Sequence, residues 1–212
     1  MKSIFLDTTT SNLIVAIIDE EKNEIISYYN EKLTCDLSTK VMTVIKESFE
    51  NSNLKPNEID KIYSVNGPGS FTGVRIGVTI CKTYSWTLGI KVIPISSLEV
   101  LASSSTNTKY KVALIDARRD CVYAGVYDKD LNCVLEDQYL SIQELYSKIN
   151  IDECTFISND LIKGINNLIE PKIDIIKIIN KHKNDDPILA HNLNPKYLKI
   201  TEAEANLKKK ND

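Results

Sequence analysis

Among 212 residues there are two histidines, one tryptophan, no C-x-x-C pair among five cysteines, and no block of like charge longer than Lys208-Lys209-Lys210. Each scarcity removes a class of function. His182 and His191 are nine positions apart, whereas two ligands on one helical face need a spacing of three or four, so a helical histidine metal site cannot be built. No H-E-x-x-H occurs, and Ser70 has no evident histidine partner, which leaves a protease without means. Cys35, Cys81, Cys121, Cys133 and Cys154 are scattered and read as reduced thiols. The near balance of 26 basic and 29 acidic residues argues against a chain that grips nucleic acid alone. No apolar run reaches membrane-spanning length, and Ile4-Phe5-Leu6 is too short for a secretory core, so a soluble cytoplasmic protein is expected, with no membrane partner.

The most informative stretch present is Gly67-Pro68-Gly69-Ser70-Phe71-Thr72-Gly73-Val74-Arg75-Ile76-Gly77. A strand-like lead-in ends in a Gly-Pro-Gly turn, and Ser70 is placed to cap a helix running to about Leu88, stopped by Gly89. Such a turn could offer backbone N–H groups to an anion, but no Gly-Lys-Ser/Thr follows, so it is not a Walker loop. A turn that merely starts a buried helix fits this segment equally well. At about 100° per residue the apolar and small side chains of this helix fill an arc of roughly 200°, wider than a single sheet can cover. Gly73, Gly77, Cys81 and Ser85 recur every fourth residue and would admit a second helix at close range, from this chain or another.

Along the chain the pattern is α/β. Three strands (3–6, 13–18, 24–28) read as an antiparallel meander, followed by an amphipathic helix at 37–52, a strand at 62–65, the helix above, a strand at 92–95 and a short helix at 97–102. The polar stretch 103–108 reads as a linker. Beyond it Ile115-Asp116 and the strand ending at Asp128 align without gaps on Leu6-Asp7 and the strand ending at Asp19, which favours two copies of one domain. The units expected are 1–103 and 104–200, with 201–212 as a Glu-, Lys- and Asn-rich tail that frays or is disordered.

A duplicated domain opening with Leu6-Asp7-Thr8-Thr9-Thr10 resembles the actin, chaperone and sugar-kinase superfamily, and Gly67 to Gly77 resembles the hallmark of the TsaB (YeaZ) family. Ile115-Asp116-Ala117-Arg118 with Tyr123, and Asn194-Pro195-Lys196-Tyr197-Leu198-Lys199, fit the same family. One departure is Cys35-Asp36-Leu37-Ser38, where many members carry a Glu-His-Ser-like run; Asp36 or Ser38 can still cap the helix. The resemblance implies two tandem RNase H-like (actin/Hsp70-type) domains, each a mixed sheet flanked by helices.

It also implies a role in making threonylcarbamoyladenosine in tRNA, as a non-catalytic subunit that binds and orders the transferase TsaD, with the ATPase TsaE joining the pair. Contact with tRNA would be indirect, through the complex, and the chain alone would form a homodimer. The helices at 37–52 and 70–88 would meet their TsaD equivalents, with Val41, Ile45, Phe49, Gly73, Val74, Gly77, Val78, Cys81 and Tyr84 as candidate contacts, some of which must face the sheet instead. Nucleotide binding through Asp7, Thr8, Thr9, Asp116 and Arg118 is the weaker expectation. Thr8 stands where glycine would let a phosphate approach, and the loop has no lysine. No cofactor is expected for the chain alone, with ATP and magnesium entering only within the complex. The alternative is an autonomous ATP-dependent enzyme, an ATPase or small-molecule kinase.

Overall fold

The computed structural model describes residues 1–33 and 36–199. Strands β1 (Lys2–Asp7), β2 (Asn12–Asp19) and β3 (Glu24–Lys32) form an antiparallel meander, and β4 (Lys61–Val65) and β5 (Lys91–Ile95) extend it in parallel, giving the order β3-β2-β1-β4-β5. Strands β6 (Tyr110–Asp116), β7 (Cys121–Asp128), β8 (Cys133–Ser141), β9 (Cys154–Ile157) and β10 (Leu168–Ile169) repeat the plan strand for strand and sense for sense. The duplication expected from the two hairpins is therefore real. Its gapless alignment is not. Asp7 pairs with Ile14 but Asp116 pairs with Val122, so the second hairpin is one residue shorter. Arg118, Arg119 and Asp120 close it, all three in the left-handed region.

Among the described residues five α-helices, α1 (Leu37–Ser52), α2 (Phe71–Leu88), α3 (Ser97–Ala102), α4 (Ile142–Lys148) and α5 (Ile175–His182), cover these sheets. The run Leu13-Ile14-Val15-Ala16-Ile17-Ile18 is buried throughout, as a strand with both faces covered must be. Leu13, Val15 and Ile17 pack under α1 and α2 with Val41, Ile45, Val74 and Val78. Ile14, Ala16 and Ile18 face the other way, into a core shared with α3, α5 and the second sheet through Leu98, Ile178 and Ile115. Helix α4 closes the outer face of the second sheet with Leu145.

Local signals behave as their chemistry requires at most ends. Ser70 Oγ accepts the Gly73 amide at 3.3 Å, and Gly89 ends α2 at φ 68°. Neither capping expectation at α1 is met, since the N-cap Asp36 makes no side-chain cap bond and Ser38 lies within the helix.

The expected boundaries need correction. Ser103 and Ser104 are buried rather than part of a solvated linker, and their hydroxyls accept the amides of Asp174 and Lys172 at 2.9 and 3.0 Å. Nor does a second unit run on to residue 200. After α5 the chain recrosses to the first sheet, where Ile188 bridges Val92 and Leu193 enters the core under α1 and α2. The tail 201–212 and Cys35 lie outside the described residues.

Candidate functional site

The Gly67–Gly77 run closes on the β1–β2 hairpin. Ser70 N donates to Thr9 O at 2.7 Å, and Thr8 Oγ1 donates to Gly73 O at 2.7 Å. A Cβ on Gly69 would stand 2.1 Å from Thr9 O, one on Gly73 2.1 Å from Thr8 O, and one on Gly77 2.3 Å from Thr8 Oγ1. These distances lie far inside van der Waals contact, so the glycines are fitted to the chain's own hairpin. The expectation that Gly73 and Gly77 admit a second helix is therefore corrected. The rest of the small-residue row also turns inward. The Cys81 thiol is buried, which pushes its pKa up to about 12, and Ser85 Oγ donates to Ile90 O at 2.6 Å.

Of the nine candidate contacts, Val41, Ile45, Phe49, Val74, Val78 and Cys81 are buried in the core beneath α1 and α2, and Gly73 and Gly77 against the hairpin, leaving only Tyr84 with free surface. Periodicity located the arc but not which part of it the sheet consumes. What stays uncovered is its edge. Ile76, Ile80 and Tyr84 are half-buried, and Met42 on α1 is exposed.

The weaker nucleotide set divides. Asp7, Thr8 and Thr9 are buried, and Asp7 Oδ1 accepts the Thr9 amide at 2.7 Å and its hydroxyl at 2.6 Å. Burial raises the Asp7 pKa to about 6, against the two Thr9 bonds that favour the carboxylate. Asp116 and Arg118 lie exposed in the other hairpin, where Asp116 Oδ1 accepts the Arg118 amide at 2.9 Å. Among the described residues no group of three or more His, Cys, Asp or Glu is arranged to hold a metal ion.

The segment Asn194–Lys199 packs over the glycine-rich turn. Lys196 N donates to Asn66 O at 2.7 Å, Asn66 Nδ2 to Asn194 O at 2.9 Å, and Tyr197 stacks on Phe71 with centroids 5.2 Å apart. Gly67, at φ 118°, has Lys196 O 2.7 Å from the place of a Cβ. Sequence reading missed the hub beside this contact. Asp137, almost wholly buried, accepts Tyr127 Oη at 2.5 Å, Ser96 Oγ at 2.5 Å and Lys196 Nζ at 2.9 Å, tying both sheets to the C-terminal segment. Gly125 inside β7 was the available signal, since a Cβ there would stand 2.5 Å from Asp137 Oδ1.

His182, excluded above as one of a helical metal pair, is largely buried at the end of α5 between Glu99 Oε1 at 2.8 Å and Asp185 Oδ2 at 2.6 Å. Burial opposes its charge, but these two carboxylates prevail and raise its pKa.

The repeated five-stranded plan, with a core between the sheets that α3 and α5 share and with α1, α2 and α4 outside, defines a protein of the actin-like ATPase fold whose first hairpin loop is sealed by its own chain. Residues 31–171 match the family model described as TsaD: tRNA N6-adenosine threonylcarbamoyltransferase. The tRNA threonylcarbamoyladenosine biosynthesis protein TsaB of Bacillus subtilis is 29% identical, with 97% of each chain covered. TsaB of Haemophilus influenzae is 36% identical over 56% of this chain and 50% of its own length. YeaZ from Pseudomonas aeruginosa has the same fold, with a TM-score of 0.77 at 20% identity over 93% of this chain and 99% of that one. The chain belongs to the TsaB/YeaZ family.

Proposed function

We propose that this chain serves threonylcarbamoyladenosine biosynthesis as a non-catalytic subunit that binds and orders a TsaD-type transferase acting on the N6 of a tRNA adenosine. The names of its relatives support the pathway. The observation that carries the non-catalytic reading is the sealed hairpin: Thr8 and Thr9 are fully buried and their hydroxyls spent on Gly73 O and Asp7, so no phosphate reaches them without displacing α2. The same observation disfavours an autonomous ATP-dependent enzyme.

The partner's helices seat on the edge left between α1 and α2, where Met42, Ile76, Ile80 and Tyr84 offer apolar surface. A partner shifts an enzyme only by preferring its active conformation, so the contact has to be stronger to that state. A TsaE-type ATPase joins this pair, and in its absence and TsaD's the same edge pairs two copies of the chain.

Met42→Glu combined with Ile80→Glu tests the seat, since both side chains reach the surface. The double variant is expected to keep the unfolding midpoint of the isolated chain within about 1 kcal/mol while losing co-purification with the transferase and support of tRNA modification. Full retention of both activities would show that the transferase does not bind there. Gly77→Leu is unsuitable for this purpose because it strikes Thr8 inside the fold.

A further inference from the structure

His182 ends α5, and the chain past it leaves the second repeat for the first. The returning segment is fastened along its length. Lys61 Nζ donates to Lys183 O at 2.9 Å, Ile188 N donates to Val92 O at 2.8 Å, Leu193 enters the first repeat's core, and Lys196 N donates to Asn66 O over the glycine-rich turn. The fastening nearest its origin is the imidazole itself. Nε2 stands 2.8 Å from Glu99 Oε1 on α3, and Nδ1 stands 2.6 Å from Asp185 Oδ2 on the returning segment. One ring therefore ties α5 both to a helix of the first repeat and to the chain that crosses back.

A neutral imidazole carries a single N–H, so between two carboxylates it can donate to one and must turn a lone pair on the other. Only the imidazolium donates to both. The charged groups facing the ring are Glu99 on α3, Asp185 on the returning segment and Lys181 on α5, whose Nζ lies 3.1 Å from the same Glu99 oxygen. With the ring protonated these four groups sum to zero. Without its proton they leave a net negative charge around a ring that is only 13% exposed. Next to them Lys61 and Glu20, 3.8 Å apart, balance each other, while Tyr63 and Tyr127 are neutral groups that feel Asp185 and Glu99. The carbonyl end of α5 adds a further preference for a cation. Burial works against the charge, and the two carboxylates overcome it, which puts the ring's pKa above its ordinary value.

We infer that His182 is a proton-operated clasp: protonated, it pins α3 and the returning segment to the end of α5, and on losing its proton it lets that segment loosen from the first sheet. It acts within one chain and needs no partner. A histidine whose pKa is raised in the fold contributes fully below about pH 6.5, and its contribution is lost as pH rises through the raised value.

Two measurements on the full chain test the clasp. His191→Gln leaves a single histidine, so the imidazole signal in a proton NMR titration belongs to His182. Its midpoint is expected above about 6.5, and Glu99→Gln should move it down. Hydrogen exchange of the Ile188 amide, corrected for the intrinsic rate at each pH, reads the release. Protection should fall about tenfold per pH unit above about 6.5 and level off once the folded ring has titrated, and His182→Gln should flatten that slope. A midpoint at or below about 6.5, or one that Glu99→Gln leaves in place, overturns the inference. So does a slope that persists in His182→Gln with protection merely lowered at every pH, since the ring would then be packing and nothing more. If His182→Gln does not fold, the titration midpoint and its response to Glu99→Gln still decide.

Discussion

The two repeats share one strand plan and use it in opposite ways. In the first, the hairpin after Asp7 is buried and wrapped by the glycine-rich turn, and helices of 16 and 18 residues cover the sheet. In the second, the hairpin after Asp116 is exposed, closed by three left-handed residues, and the only outer helix among the described residues has 7 residues. Duplicating a domain copies its hydrogen-bond topology, but each copy keeps only the side chains its own neighbours demand. The sealed hairpin gives up access for rigidity, while the open one keeps its backbone strain and its arginines at the surface.

The sharpest way to break this contrast is Gly73→Val. With Thr8 O 2.1 Å from the new Cβ and no flexible atom to yield, it should cost about 3 kcal/mol or more and leave little folded protein, as read by urea unfolding. Next is Asp137→Ala, which removes the carboxylate joining Ser96, Tyr127 and Lys196 and should cost about 2–3 kcal/mol; Asp137→Asn should cost less because it can still accept.

Asp7→Asn tests the sealed hairpin from the other direction. A carboxyl raised to about 6 in the fold, against about 4 unfolded, holds its proton longer when folded, so its contribution falls as pH rises from about 4 to about 6. The neutral variant should therefore be more stable than the parent at neutral pH by about 2 kcal/mol, with the gain shrinking towards pH 4. A flat difference across that range would mean that Asp7 titrates normally. The smallest effect belongs to the open hairpin: Arg118→Gly, at φ 63°, should stabilise by about 0.5–1 kcal/mol by relieving left-handed strain, measured as a shift in thermal midpoint.

Most of the first repeat was legible in the residues. Periodicity marked both long helices, the Ser70 cap and Gly89 stop bounded α2, and three closely spaced apolar runs announced the meander. The faint recurrence of a hairpin around Asp116 was enough to find the duplication, though a shorter loop concealed its register. The site was read less well. The small face of α2 suits an approaching helix or an approaching loop equally, because both require only that Cβ atoms be absent. Asp137 gave no local sign beyond Gly125, since its three partners lie 10, 41 and 59 positions away.

Composition, periodicity and turn chemistry thus settled the α/β class, the limits of the first repeat's helices and the doubled plan, because those properties depend on neighbours a few residues apart. Tertiary structure alone decided that the glycines of 67–77 receive the Thr8–Thr9 loop, that Asn194–Lys199 returns to cover them, and that a ring of Tyr197 meets one of Phe71. Those contacts join segments tens to more than a hundred residues apart in the chain. Which of several complementary surfaces meet is fixed by packing the whole chain at once, and no local pattern carries that information.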